Sequence, residues 1–169
     1  NQVLWTIAKQ KNKHVIISSV EHPAISKVLE KIKPYGVETS TLPVDDKGIV
    51  LTNELINLIK PNTGLISIML ANNEIGSIQP INEIIKKISN HKIPLHTDAV
   101  QALGKIEIDV NELGIDYLSL SAHKFYGPKG VGALFVNKKN NIKPFIIGGD
   151  QENGLRGGTE NIAGIVGMG

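Results

Sequence analysis

Four short polar clusters in this sequence could do chemistry together. Glu21-His22-Pro23, Ala71-Asn72-Asn73-Glu74-Ile75-Gly76, His96-Thr97-Asp98-Ala99-Val100-Gln101 and Ser121-Ala122-His123-Lys124 each follow a short apolar run. A lysine at the end of a buried strand is a candidate Schiff-base former, because partial burial lowers the pKa of an amine. A carboxylate at a neighbouring strand end can keep a pyridine nitrogen protonated. An imidazole can stack on a flat ring or move protons, and Asn or Gln can hydrogen-bond a ring oxygen. Lys124, Asp98, His22, Asn73 and Gln101 supply that set. It suits pyridoxal phosphate (PLP), whose protein must offer an amine, an acid for the ring nitrogen and polar groups that tune the ring.

Each cluster alone has a plainer reading, since Asn, Asp and Ser commonly cap strand-to-helix turns. His22, Gln101, His123 and Lys124 are not capping types, so four clusters in series point to a shared rim. His96 reads most simply as a buried, hydrogen-bonded strand histidine. Other chemistries fit less well. His22, His96, Asp98 and His123 are metal-ligand types, but no HExxH or comparable spacing joins them. A GxSxG elbow is absent, as are a Walker A loop and a GxGxxG turn after a strand. The chain contains no cysteine, which excludes disulfides, thiolate metal sites and a cysteine nucleophile within these residues.

Converging clusters need a sheet whose strands end together, and in open parallel sheets ligands bind at the carboxyl ends of the strands. Apolar runs of strand length cover His14–Ser19, Val37–Leu42, Gly64–Leu70, Ile93–His96, Tyr117–Leu120 and Val131–Val136. Helical patterns cover Val3–Lys11, Pro23–Tyr35, Thr52–Ile59 and Ile81–Asn90. Pro23 and Pro80 suit a first helical turn. Thr52 reads as an N-cap, and Gly36 as the residue that closes a helix. The alternation predicts an α/β domain, a mostly parallel mixed sheet with helices on both faces. Val131–Val136 follows Tyr117–Leu120 without a crossover helix, so it is expected to run antiparallel. Ala99–Val110 is irregular, the chain turns loop-like past Lys138, and Ile162–Met168 is apolar.

The composition is that of one globular domain: 169 residues, 41% hydrophobic and 20% charged. A disordered tail, a collagen repeat and a membrane bundle are excluded. Apolar runs fall far short of the roughly 20 residues of a membrane helix. No signal-peptide pattern occurs, so the cytoplasm is the expected compartment and no membrane contact is expected. The net charge of +2 is spread among interspersed lysines and carboxylates, with Arg156 the single arginine. No basic stripe suggests nucleic acid.

At the four clusters the chain resembles the cysteine desulfurases of the NifS/IscS type, in the class V aminotransferase group. The resemblance rests on Glu21-His22-Pro23-Ala24, Ala71 through Gly76, His96 through Gln101, Ser121 through Gly130, Gly148 through Glu152 and Arg156 through Asn161. These stretches keep the family's order and close to its spacing over essentially the whole chain. One departure is Asp150, where many relatives carry a third glycine. The resemblance implies the large PLP-binding domain of fold type I, with a seven-stranded mixed sheet, and a homodimer with both sites at the subunit interface. Lys124 would hold PLP as a Schiff base, and Asp98 would pair with the pyridine nitrogen. His22 would stack over the ring and shuttle protons. Asn73 and Gln101 would reach the ring hydroxyl. Ser121 and His123 would bind phosphate or support the lysine, and Thr159 would reach the partner's phosphate; Arg156 has no assigned role. The implied reaction takes L-cysteine to L-alanine. Its sulfur becomes a persulfide on an enzyme cysteine and passes to an iron–sulfur scaffold or another acceptor protein.

The resemblance also makes residues 1–169 the expected central part of that domain. A phosphate loop is expected before Asn1, and a small domain with the catalytic cysteine after Gly169. The piece alone is expected to be inactive. The alternatives are a selenocysteine lyase or other enzyme of the group, a non-catalytic truncated remnant and, more weakly, a plain nucleotide-binding α/β module.

Overall fold

The structure, a computed structural model, describes residues 1–169. Six strands form one sheet: β1 (His14–Ser18), β2 (Glu38–Leu42), β3 (Thr63–Ser67), β4 (Leu95–Asp98), β5 (Tyr117–Ser121) and β6 (Gly132–Val136). Their order is β2-β1-β3-β4-β5-β6. The first five are parallel, and β6 runs antiparallel to β5. The short connection before β6 leaves no room for the crossover that a parallel partner needs. Six strands are present where the resemblance implies seven, with β2 and β6 at the edges.

The helices are α1 (Gln2–Ala8), α2 (Pro23–Ile32), α3 (Leu55–Leu58), α4 (Ile81–Ile88) and α5 (Ile162–Met168). Side chains alternate across a strand. Val15 and Ile17 therefore pack with Leu4, Ile7, Ile25 and Leu29 of α1 and α2, while Ile16 joins Leu55, Ile81 and Ile84 of α3 and α4. Both faces are covered because the chain changes direction. It steps from β1 to β2, then returns past β1 to β3, and crossovers of one hand that reverse direction must use opposite faces. The reversal point lies between β1 and β3, the place where sheets of this kind form a crevice at the carboxyl ends.

Local signals held unevenly. Pro23 opens α2. Gly36, with φ 84°, closes the 3-10 turn Lys33–Tyr35 by donating its N–H to the Lys33 carbonyl. Thr52 caps nothing: it lies in a 3-10 turn, Thr52–Glu54, and donates its hydroxyl to the Glu83 carboxylate on α4. The charged acceptor sets the direction of the hydroxyl, and no backbone amide reaches its oxygen. Pro80 precedes α4 rather than opening it. No helix is long and apolar enough to cross a membrane.

Candidate active site

Parallel pairing of β1, β3, β4 and β5 brings all four polar clusters to one rim. β4 ends on Asp98 and β5 on Ser121, and a 3-10 turn, Ala122–Phe125, then carries His123 and Lys124. Asp98 is half-buried, and its Oδ1 accepts the Val100 N–H at 3.0 Å. Burial pushes this carboxyl above its usual range, against the pull of the Val100 amide and the His22 ring. Beside it lies a cavity of about 290 Å³ lined in part by Asn1, Ala24, Val100 and Ser119. A larger cavity of about 390 Å³, lined by Ile88, Pro94 and Asn140, opens at the far end of β4 and contains none of the expected site residues.

Two positions before Asp98, His96 lies fully inside the sheet. Its Nδ1 is 2.8 Å from Ser67 Oγ and its Nε2 2.8 Å from Ser119 Oγ. Burial drives its pKa down to about 3, so the ring is neutral, with one nitrogen donating and the other accepting. The expectation of a buried strand histidine holds, and the ring forms a strut across β3, β4 and β5.

His22 corrects an expectation. It is the N-cap of α2, and its Nδ1 accepts the Ala24 N–H at 3.1 Å. Pro23 has no N–H, so Ala24 supplies the first donor that needs a partner, and the imidazole is close enough to take it. A neutral His22 in this arrangement carries its proton on Nε2, and the side chain is exposed.

Three further residues hold the rim together, and sequence reasoning gave them no role. Glu21 Oε1 accepts the Ser18 hydroxyl at 2.6 Å and the Met69 N–H at 2.8 Å, while its Oε2 is buried without a partner. Burial raises this carboxyl to about 7, with the Ser18 hydroxyl, the Met69 N–H and the Ser18 N–H opposing the rise and the charge of Asp98 adding to it. Asn72 donates Nδ2 to the Val20 carbonyl at 3.1 Å, and its Oδ1 accepts the N–H groups of Glu74 and Ile75 at 2.8 and 3.0 Å. That turn leaves Asn73 exposed at the rim. Buried Gln79 accepts the Val50 N–H at 2.9 Å and donates to the Gly48 carbonyl at 2.7 Å, fastening the next loop behind it. An Asn opening a turn is a readable signal; the roles of Glu21 and Gln79 depend on distant backbone and leave none.

The remaining expected residues are less enclosed. Lys124 is exposed and makes no hydrogen bond. The partial burial expected of it is missing because it stands on the turn beyond β5, not on the strand. Ser121 Oγ lies 2.8 Å from His123 Nδ1. The Gln101 side-chain oxygen accepts from Lys105 Nζ at 3.0 Å. Thr159 is exposed in the glycine-rich loop, where Arg156 donates to the Gly158 carbonyl at 3.4 Å.

Known proteins resemble this chain in sequence and fold. A cysteine desulfurase IscS of Dictyoglomus turgidum is 54% identical, over 94% of this chain and 40% of that protein. The mitochondrial cysteine desulfurase of Saccharomyces cerevisiae is 48% identical, over 89% of this chain and 31% of that protein. The chain thus spans less than half the length of these relatives. A solved NifS-like protein superposes with a TM-score of 0.92 at 44% identity, over 98% of this chain and 47% of its own. SspA in complex with cysteine superposes with a TM-score of 0.91 at 41% identity, over 99% of this chain and 48% of its own. The family profile described as aminotransferase class-V matches residues 1–169, and this chain belongs to the class V aminotransferase family.

Proposed function

We propose that this chain is the cofactor-holding part of a PLP-dependent cysteine desulfurase. One observation carries the reading: a half-buried carboxylate, Asp98, ends a central strand with one oxygen lacking a protein partner, on the same rim as His22, Asn73 and Lys124. The donor set fits PLP, since the open Asp98 oxygen suits a cationic ring N–H and Lys124 offers a free amine. The names of the relatives support the same reading.

The chemistry supplied by bound PLP is an electrophilic carbon for amines and a ring that draws electrons from the substrate. The protein's residues do the rest. Asp98 keeps a proton on the ring nitrogen through a charge-assisted bond, made stronger by its partial burial. His22 lends the flat face of its ring and the Nε2–H. Lys124 takes or returns a proton at the substrate's Cα once its Nζ is free. Ser121 and His123 offer a hydroxyl and an imidazole to the phosphate. The overall change takes L-cysteine and a thiol to L-alanine and a persulfide. None of the 169 residues is a cysteine, so the accepting thiol lies outside them. The sulfur then passes to an acceptor protein, an iron–sulfur scaffold in the reading that the resemblance carries. A second copy of the chain fits the exposed apolar side chains Tyr126, Ile147, Ile162 and Val166, with exposed Thr159 serving the partner's phosphate.

Borohydride reduction of the PLP-loaded chain followed by peptide mapping tests this reading. An adduct on Lys124 is expected, and an adduct on any other lysine overturns the assignment. The 169 residues alone are expected to release no sulfide from L-cysteine beyond free PLP, because no positioned thiolate is present. Catalytic release would overturn the persulfide route.

A further inference from the structure

The crevice between β1 and β3 has to be spanned, because the chain leaves those strands in opposite directions. Glu21 spans it with one oxygen, which takes the Ser18 hydroxyl at the end of β1 and the Met69 N–H just past β3. Asn72 adds a second tie, to the Val20 carbonyl. His22 follows Glu21 directly and Asn73 follows Asn72, so each rim residue is one position from a tie. The other oxygen of Glu21 is buried with no partner. An ionised carboxylate there would need a donor or a cation, and no ion pair reaches it. The groups around it are the hydroxyl and backbone N–H of Ser18 from β1, the Met69 N–H beyond β3 and Asp98 from β4. Asp98 bears the same sign of charge, and two close carboxyls in a poorly solvated site do not both ionise readily. Asp98 has the Val100 amide and the His22 ring to favour its charge; Glu21 has no cation.

We propose that Glu21 is a positioning residue working as a neutral carboxylic acid, which latches the His22 rim to the Asn73 rim and leaves Asp98 the one anion offered to PLP. The second half of this inference rests on the PLP reading above. The proton resides on Oε2, so Oε1 remains free to accept both hydrogen bonds.

Glu21→Gln and Glu21→Ala in the full chain test it. Gln keeps the accepting oxygen and is neutral at every pH. By absorbance titration with PLP at pH 6.5, Glu21→Gln is expected within about twofold of wild-type affinity, and Glu21→Ala at least about tenfold weaker. Thermal melting against pH without PLP supplies an independent readout. A carboxyl whose folded pKa lies above its unfolded value stabilises below the unfolded value, and that contribution is lost as pH rises through the folded one. Wild-type minus Glu21→Gln melting temperature should therefore fall between about pH 4.5 and pH 7. His14 and His96 titrate in both proteins and cancel in the difference, whereas Asp98 is coupled to Glu21, so the fall reports the carboxyl pair. Equal loss of PLP affinity in the Gln and Ala variants, a Gln variant that does not fold, or a difference curve that is flat or rising would overturn the proposal. Absence of PLP binding by the wild type would instead defeat the functional reading, while the melting series still decides the protonation of Glu21.

Discussion

Asp98 accepts the Val100 N–H at 3.0 Å through Oδ1, and its Oδ2 has no protein partner. The amide of the turn that follows β4 thus aims the carboxylate and leaves half of it open. An aimed, half-buried carboxylate is ready for a cationic donor without rearrangement.

In the full-length enzyme, Asp98→Asn should bind PLP and turn over at least about tenfold more slowly. The charge-assisted bond it weakens is worth about 1.5–3 kcal/mol, and each 1.36 kcal/mol is a factor of ten. Steady-state alanine formation beside PLP titration measures both effects; near wild-type turnover would rule out the role.

Lys124→Ala should leave stability within about 0.5 kcal/mol of wild type, because the side chain is exposed and makes no hydrogen bond. The borohydride-stable adduct should vanish in the same sample. A large drop in melting temperature would make Lys124 a structural residue instead.

His96 makes the fold acid-sensitive. Its pKa is about 3 in the folded chain and about 6.5 unfolded. The unfolded chain therefore binds the extra proton between those values, and stability falls as pH falls through that window. The slope from this one group approaches about 1.4 kcal/mol per pH unit. His96→Gln should flatten the curve between about pH 6 and pH 4, measured by denaturant unfolding; an unchanged slope would contradict a neutral buried imidazole.

Gln79→Leu should cost about 1–3 kcal/mol, because the Val50 N–H and the Gly48 carbonyl lose their partner. Hydrogen exchange at the Val50 amide should accelerate. A protected Val50 amide in the variant would show that another acceptor had replaced the glutamine.

Much of this was legible from period and punctuation. The runs at Val15–Ile17 and Leu65–Ile66 read as strands buried on both faces, and the missing crossover before Val131 foretold an antiparallel β6. The rim followed, because strands that end together carry their next residues together. Tertiary competition was not legible. Thr52 looks like a cap until Glu83, 31 positions away, comes within reach. His22 looks unlike a cap until Pro23 removes the nearest N–H and Ala24 turns to the imidazole. Glu21 looks like a surface carboxylate until the chain beyond β3, 48 positions on, closes over it.

The place of β1 in the middle of the sheet has a consequence during synthesis. His14 pairs with Glu38 on one side and Thr63 on the other, and all five residues of the strand are buried. The strand is synthesised before either neighbour. At about 5–20 residues per second, the roughly 50 residues through Ser67 take several seconds to appear. β2 appears about halfway through that interval and covers one hydrogen-bonding edge, while the edge that β3 will take stays open to the end, which exposes His14–Ser18 to chaperone capture or to pairing with a neighbouring chain.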